Sequence, residues 1–132
     1  MLHPNQFQVN EAWIAFQLND ASIRTERDGS FNSIALMDAA SCFILGMVMV
    51  SMLETEPSKL EVKRLLKMGW EHRKQYPGKL FVPTGQFPTI LPAEAKRKHI
   101  PVVPVLESQL LAFIGEAQQG FRERFQSEGT EQ

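Results

Sequence analysis

The chain has 132 residues, 43% of them apolar and 22% charged, with a formal net charge of -1. That is the composition of one ordinary globular domain, long enough to bury about two thirds of its unfolded surface. The longest apolar run, Phe43 to Val50, is well short of the about 20 residues that cross a bilayer. The single cysteine, Cys42, leaves no partner for an internal disulfide, and no Cys/His spacing for zinc occurs.

In chain order, the N-terminal "MLHPNQFQVNEAW" lacks the basic start and apolar block of a secretory signal, so the cytoplasm is the expected compartment. Residues 12 to 18, "AWIAFQL", are predicted as the first strand, stopped by the turn formers Asn19 and Asp20. The polar "ASIRTERDGS" that follows contains the turn signal Asp28-Gly29. It is read as a loop or as a short extra strand over Ser22 to Thr25. Phe31 to Met37 and Phe43 to Val50 flank "DAAS" at 38 to 41, whose Asp and Ser side chains suit a tight hairpin, and are predicted as antiparallel strands two and three. Cys42, beside Phe43, is read as part of the predicted strand and as a small buried hydrophobe.

After Ser51 the period lengthens. Pro57 with Ser58-x-x-Glu61 marks a capping-box start, and Val62, Leu65, Leu66, Gly69 and Trp70 recur along one helical face. The helix should end ahead of Tyr76-Pro77-Gly78, because proline disfavours helix in the residue before it. Lys79 to Val82 reads as strand four, and a short helix is expected from about Pro92 to Lys98. "IPVVPV" at 100 to 105 is β-branched but holds two prolines, so as strand five it belongs at a sheet edge. Glu107 to Phe125 reads as the closing helix, with Leu110, Phe113, Ile114, Ala117, Phe121 and Phe125 on one side, and 126 to 132 as a frayed tail. The expected whole is one domain over residues 1–132, core about 11–125. Its fold class is α/β, βββαβαβα, a mixed five-stranded sheet of order 3-2-1-4-5 flanked by helices, with a right-handed crossover.

That order of elements is similar to the ribonuclease H-like fold. "MDAASCFILG" at 37 to 46 resembles the second hairpin of retroviral-integrase and transposase catalytic cores, where an Asp-x-x-Ser turn leads into an apolar strand with a glycine. "KLFVPTGQF" at 79 to 87 resembles their strand-four segment, which usually ends in Asp-Asn-Gly and an aromatic; Gly85 and Phe87 match, and Pro83 or Thr84 stands where the acid belongs. Trp13 matches a first-strand Trp that the family follows with a catalytic Asp, but Ile14-Ala15-Phe16-Gln17 supplies none. The resemblance therefore implies the fold without two of its three acids.

Two-metal phosphoryl transfer needs clustered carboxylates around Mg²⁺ or Mn²⁺. The remaining candidates are Asp20 and Asp38, each where a turn wants Asp, and Glu107, explained as well by a helix N-terminus. The expected assignment is therefore no catalytic residue, no metal and no cofactor, with a divergent metal-dependent nuclease or integrase-like phosphoryl transferase as the alternative. His3, His72 and His99 are scattered, and no glycine-rich phosphate loop occurs.

Charge is unevenly spread. Residues 59 to 98 hold ten Lys/Arg against three acids, a balance of +7, and the remainder holds four against twelve, a balance of -8. Lys59, Lys63, Lys67 and Lys74 fall on one arc of the first helix, and Lys96, Arg97 and Lys98 form a second cluster; these seven are the expected contacts to an anionic partner, nucleic acid or protein. Met37, Met47, Met49, Met52 and Met68 read first as core filling. A long apolar third strand at a sheet edge makes a homodimer the first partner to test. No membrane span is expected.

Overall fold

A computed structural model describes residues 1–19, 23–25 and 29–130 of the chain. Among these residues six strands, β1 (Ala12–Gln17), β2 (Ile23–Thr25), β3 (Gly29–Asp38), β4 (Ile44–Ser51), β5 (Lys79–Pro83) and β6 (Val102–Val105), form one sheet; the α-helices are α1 (Lys59–Arg73), α2 (Ile90–Arg97) and α3 (Leu111–Thr130), with 3-10 turns at Pro4–Gln6 and at Glu107–Leu110, the latter leading into α3. The five main strands lie in the order β4-β3-β1-β5-β6. This is the expected 3-2-1-4-5 order, antiparallel through β4-β3-β1 and parallel through β1-β5-β6. The short extra strand exists as β2, and Phe31 pairs with both Ile23 and Ser51, so β2 lies on the β1 side of β3 and extends that lane. Ser22 and the Asp28 turn signal lie outside the described residues.

β1 is central, and its residues Ala12 to Phe16 are fully buried. Strand alternation sends Trp13 and Ala15 to the side packed by Val62, Leu65 and Leu66 of α1 and Leu91 and Ala95 of α2. Ala12, Ile14 and Phe16 face Leu110, Phe113 and Ile114 on the other side. A helix layer therefore covers each face, as a parallel segment requires. Gly69 lets α1 lie close against β1: a Cβ there would lie 2.7 Å from the Trp13 ring.

α1 begins where the sequence places it. Ser58 accepts from the Glu61 N–H and the Glu61 carboxylate accepts from the Ser58 N–H at 2.8 Å, satisfying two donors that helix geometry leaves unbonded. It ends on Lys74 at φ 58, ahead of Tyr76-Pro77. Among the described residues, β6 pairs only with β5. The Leu80 N–H reaches the Pro101 carbonyl and the Thr84 N–H reaches that of Val105, so the nitrogen of Pro104 turns away from β5 and its missing hydrogen costs the ladder nothing.

Several expectations change. Trp70 is 40% exposed and does not join the buried face of α1. Cys42 lies in the hairpin turn at φ 59, half-buried, and β4 starts only at Ile44. Met37 is buried and Met68 packs against the core, whereas Met47, Met49 and Met52 are exposed, because α1 covers the other face of β4 through Leu45, Val48 and Val50. The α3 backbone continues to Thr130, past the expected end at Phe125, whose side chain lies outside the described set, as do residues 131 and 132.

Candidate functional site

Each end of β1 carries a network of polar groups. At its N-terminal end Trp13 stands opposite Asp38 in the β1-β3 register. Asp38 is 0% exposed. Its Oδ1 accepts from the Asn10 N–H at 2.7 Å, and its Oδ2 accepts from the Ser41 N–H at 3.0 Å and the Ser41 hydroxyl at 2.8 Å. The Arg73 guanidinium, from the last turn of α1, lies 3.9 Å from Oδ2. Asn10, held at φ 66, uses its side-chain oxygen to accept from the Trp13 indole N–H at 2.7 Å and its amide to donate to the Tyr76 carbonyl at 3.3 Å.

A buried carboxylate is tolerated only when its oxygens are bonded and its charge is paired. The three hydrogen bonds and the Arg73 charge meet that need for Asp38, while the buried Arg73 Nε has no hydrogen-bond partner among the described residues. Asp38 thus forms the turn expected of it and ties the hairpin, the approach to β1 and the end of α1 together. Beside it, burial pushes the Cys42 thiol above its ordinary pKa, with the Glu116 and Asp38 charges adding to the effect, which disfavours the thiolate and suits a packing role.

The C-terminal end of β1 is built from amides. The Pro83-Thr84-Gly85-Gln86 turn closes with the Gln86 N–H on the Pro83 carbonyl, and Gly85 takes φ 86, which only glycine adopts freely. The turn swings the Gln86 side chain across the strand ends, where it accepts from the Gln17 N–H at 3.3 Å and donates to Glu107 at 3.3 Å. Gln118 of α3 donates to the Gln17 carbonyl at 3.0 Å, and the Gln17 side chain donates to the Asn19 carbonyl at 2.7 Å. The recess beside this turn, about 320 Å³, is lined by Val82, Pro83, Gly85, Phe87, Pro88, Pro92, Val102 and Pro104, without an ionisable side chain among these described residues.

Asp38 is therefore anchored at the Trp13 end of β1 and Glu107 reaches its Gln17 end, with about 13 Å of strand between those two residues at about 3.3 Å per residue. Asp20 lies outside the described residues. Among those described, no three His, Cys, Asp or Glu side chains converge as a metal-holding group.

The basic residues are arranged differently. Lys59, Lys63, Lys67 and Lys74 are all exposed on α1 and its C-cap, with Lys67 4.0 Å from Glu71. Lys96, Arg97 and Lys98 close α2, where Arg97 lies 3.5 Å from the buried Glu94 and the Lys98 ammonium sits 6.0 Å from the Tyr76 ring centroid. Because Tyr76 follows α1 directly, this pair brings the ends of the two helices side by side. Lys74 sits 5.3 Å from the Trp70 ring. Of the histidines, His72 stacks edge-on against Phe43, centroids 5.4 Å apart, and His99 sits at φ 60 after α2.

Sequence reasoning passed over three of these residues. Gln86 and Asn10 carry no motif, and their roles arise from contacts 69 and 28 residues away along the chain. Trp70 had a signal: it lies three residues after Lys67 and four before Lys74, on the lysine arc as much as on the apolar one.

No protein-family model matches the chain, and no curated protein matches it. Among solved structures, it is similar to a chain of the simian T-cell lymphotropic virus intasome in complex with PP2A regulatory subunit B56 gamma, with a TM-score of 0.57 and 10% identity, over 84% of this chain and 37% of that one. The likeness is one of fold, in the direction that the hairpin and strand-four motifs indicate. The present chain spans little more than a third of the length of that neighbour.

Proposed function

We propose that the chain is a binding or assembly module on an integrase-like, ribonuclease H-like fold, without phosphoryl-transfer chemistry of its own. The observation that carries this reading is the division of α1: Val62, Leu65, Leu66 and Gly69 are committed to the sheet, while Lys59, Lys63, Lys67 and Lys74 stand in water along one side. Such a row presents a positive edge to an anionic partner, nucleic acid first and an acidic protein surface second. Lys96, Arg97 and Lys98 extend it at the end of α2.

The alternative, a Mg²⁺- or Mn²⁺-dependent nuclease or integrase-like phosphoryl transferase, draws no support from Asp38, buried and fully engaged, or from Glu107 at the far end of β1. The neighbouring intasome chain belongs to an assembly that includes a regulatory protein subunit, which is in keeping with an assembly role for this fold.

The test is binding of the whole chain to heparin and to nucleic acid at increasing salt. Steep weakening supports the reading, because counterion release scales with the anionic groups contacted. Salt-independent binding, or none, overturns the charged-face version.

A second partner reading rests on β4. Met47 and Met49 are 43% and 47% exposed on a strand paired, among the described residues, only with β3. Edge-to-edge association of two copies would cover them. Sedimentation of the chain over a range of concentrations tests it: a monomer throughout overturns the dimer, and Met47→Lys should dissociate one that forms.

A further inference from the structure

We infer that the outer stripe of α1 is a track for single-stranded nucleic acid, with Trp70 as the platform on which a base stacks. The inference rests on the basic-face reading above and adds the class of partner. Lys59, Lys63, Lys67, Trp70 and Lys74 succeed one another at steps of four, four, three and four residues, the spacing of a single helical stripe. Trp70 keeps 40% of its surface in water, whereas the other tryptophan, Trp13, is 0% exposed in the core. Lys74 lies 5.3 Å from the indole centroid, which holds a cation and an aromatic face together at the end of the stripe. The Lys98–Tyr76 pair repeats the combination where α2 ends, so the surface continues past α1.

Each ingredient narrows the partner. A row of lysines alone serves any polyanion, and solubility requires no indole. Duplex DNA is gripped through its phosphates while its bases stay stacked on one another, which leaves an exposed tryptophan without a role. An apolar peptide gains nothing from four lysines. A flexible strand with unstacked bases uses both: backbone on the cations, a base on the ring. The 15 residues of α1 extend about 22 Å at about 1.5 Å per residue, enough to carry a few nucleotides of an unstacked strand. The Lys67–Glu71 pair is exposed and weak, so Lys67 is readily recruited to a phosphate.

The experiment is fluorescence anisotropy of the whole chain with a labelled 12-nucleotide oligo-dT, compared with a duplex of the same length and with heparin, for the native chain, Trp70→Ala and Trp70→Phe. Circular dichroism checks that the variants fold; both changes fall on an exposed side chain. The expected result is preference for the single strand, quenching of tryptophan emission on binding, about tenfold or greater weakening by Trp70→Ala, substantial recovery in Trp70→Phe, and heparin affinity unchanged in both variants. Oligo-dT binding indifferent to Trp70→Ala, or tighter binding of the duplex, overturns the inference while leaving the basic face in place. Heparin binding without oligonucleotide binding also overturns it and favours an acidic protein partner. Failure to bind any of the three overturns the basic-face reading as well.

Discussion

The N-terminal and C-terminal ends of β1 lie in one buried strand yet solve the problem of a polar strand end in opposite ways. At the first, a fully buried Asp38 is held by Asn10, Ser41 and Arg73, and the indole of Trp13 is drawn into the same network. At the second, half-exposed amides of Gln17, Gln86 and Gln118 bond one another and the exposed Glu107. A charge at the dry end is costly to disturb, since removing one partner strands the others away from water. Amides at the wet end are cheap to disturb, since water replaces any bond that is lost. The difference teaches that an acid at a strand end is no sign of a site: the buried acid here is at the end with no access, and the accessible end gathers, among the described residues, no cluster of acids.

The comparison breaks first at Asp38. Asp38→Ala should destabilise the fold by about 3–5 kcal/mol, leaving Arg73 and the Asn10 and Ser41 donors unmatched. Urea unfolding with an unchanged m-value would measure it, and a loss under about 1 kcal/mol would mean the dry end is not dry. Gly69→Ala, at the same end, should cost about 1–3 kcal/mol, because the new methyl meets the rigid Trp13 ring at 2.7 Å. Gly46→Ala should cost about as much, because its methyl meets the Met68 Cβ at 2.6 Å and that atom moves only with the α1 backbone.

Changes at the wet end should be smaller still. Glu107→Ala and Gln86→Ala are each expected to cost under about 1 kcal/mol. A cost equal to that of Asp38→Ala would erase the contrast.

The smallest expected effect sharpens the picture through pH. Glu56, in the loop between β4 and α1, reaches the start of α2 and accepts from the Thr89 hydroxyl, the Thr89 N–H at 3.1 Å and the Ile90 N–H at 3.0 Å. Desolvation pushes its pKa up, but the Thr89 and Ile90 hydrogen bonds outweigh it and hold the carboxyl below the ordinary glutamate range. A depressed folded pKa means that the contribution is fully present above the unfolded value of about 4.3 and is lost as pH falls through the folded value below it. Native-state exchange at Ile90 should therefore accelerate relative to the core below about pH 4, and Glu56→Gln should abolish that acid-dependent step.

Much of the architecture was legible in local chemistry. The Ser58/Glu61 capping box, the Asp38-to-Ser41 turn and the edge position forced on β6 by Pro104 each act within a few residues, so neighbouring letters contain the whole cause. The faces of single elements were less legible. Trp70 satisfies two overlapping periodicities, and β4 alternates Met with Val, so either side reads as core until α1 is seen to cover only one. Cys42 shows the same limit, since one residue in a left-handed turn ends a strand that composition would continue.

The sequence by itself determined the order of elements, the open ends of the sheet and the uneven distribution of charge, because periodicity, proline geometry and net charge are local or additive properties. Only the tertiary structure decided that Asp38 and Glu107 stand at opposite ends of β1, that Gln86 crosses from β5 to β1, and that Trp70 turns to water among the lysines. Those outcomes depend on which distant segments meet, and a side chain's surroundings are set by packing rather than by its neighbours in the chain.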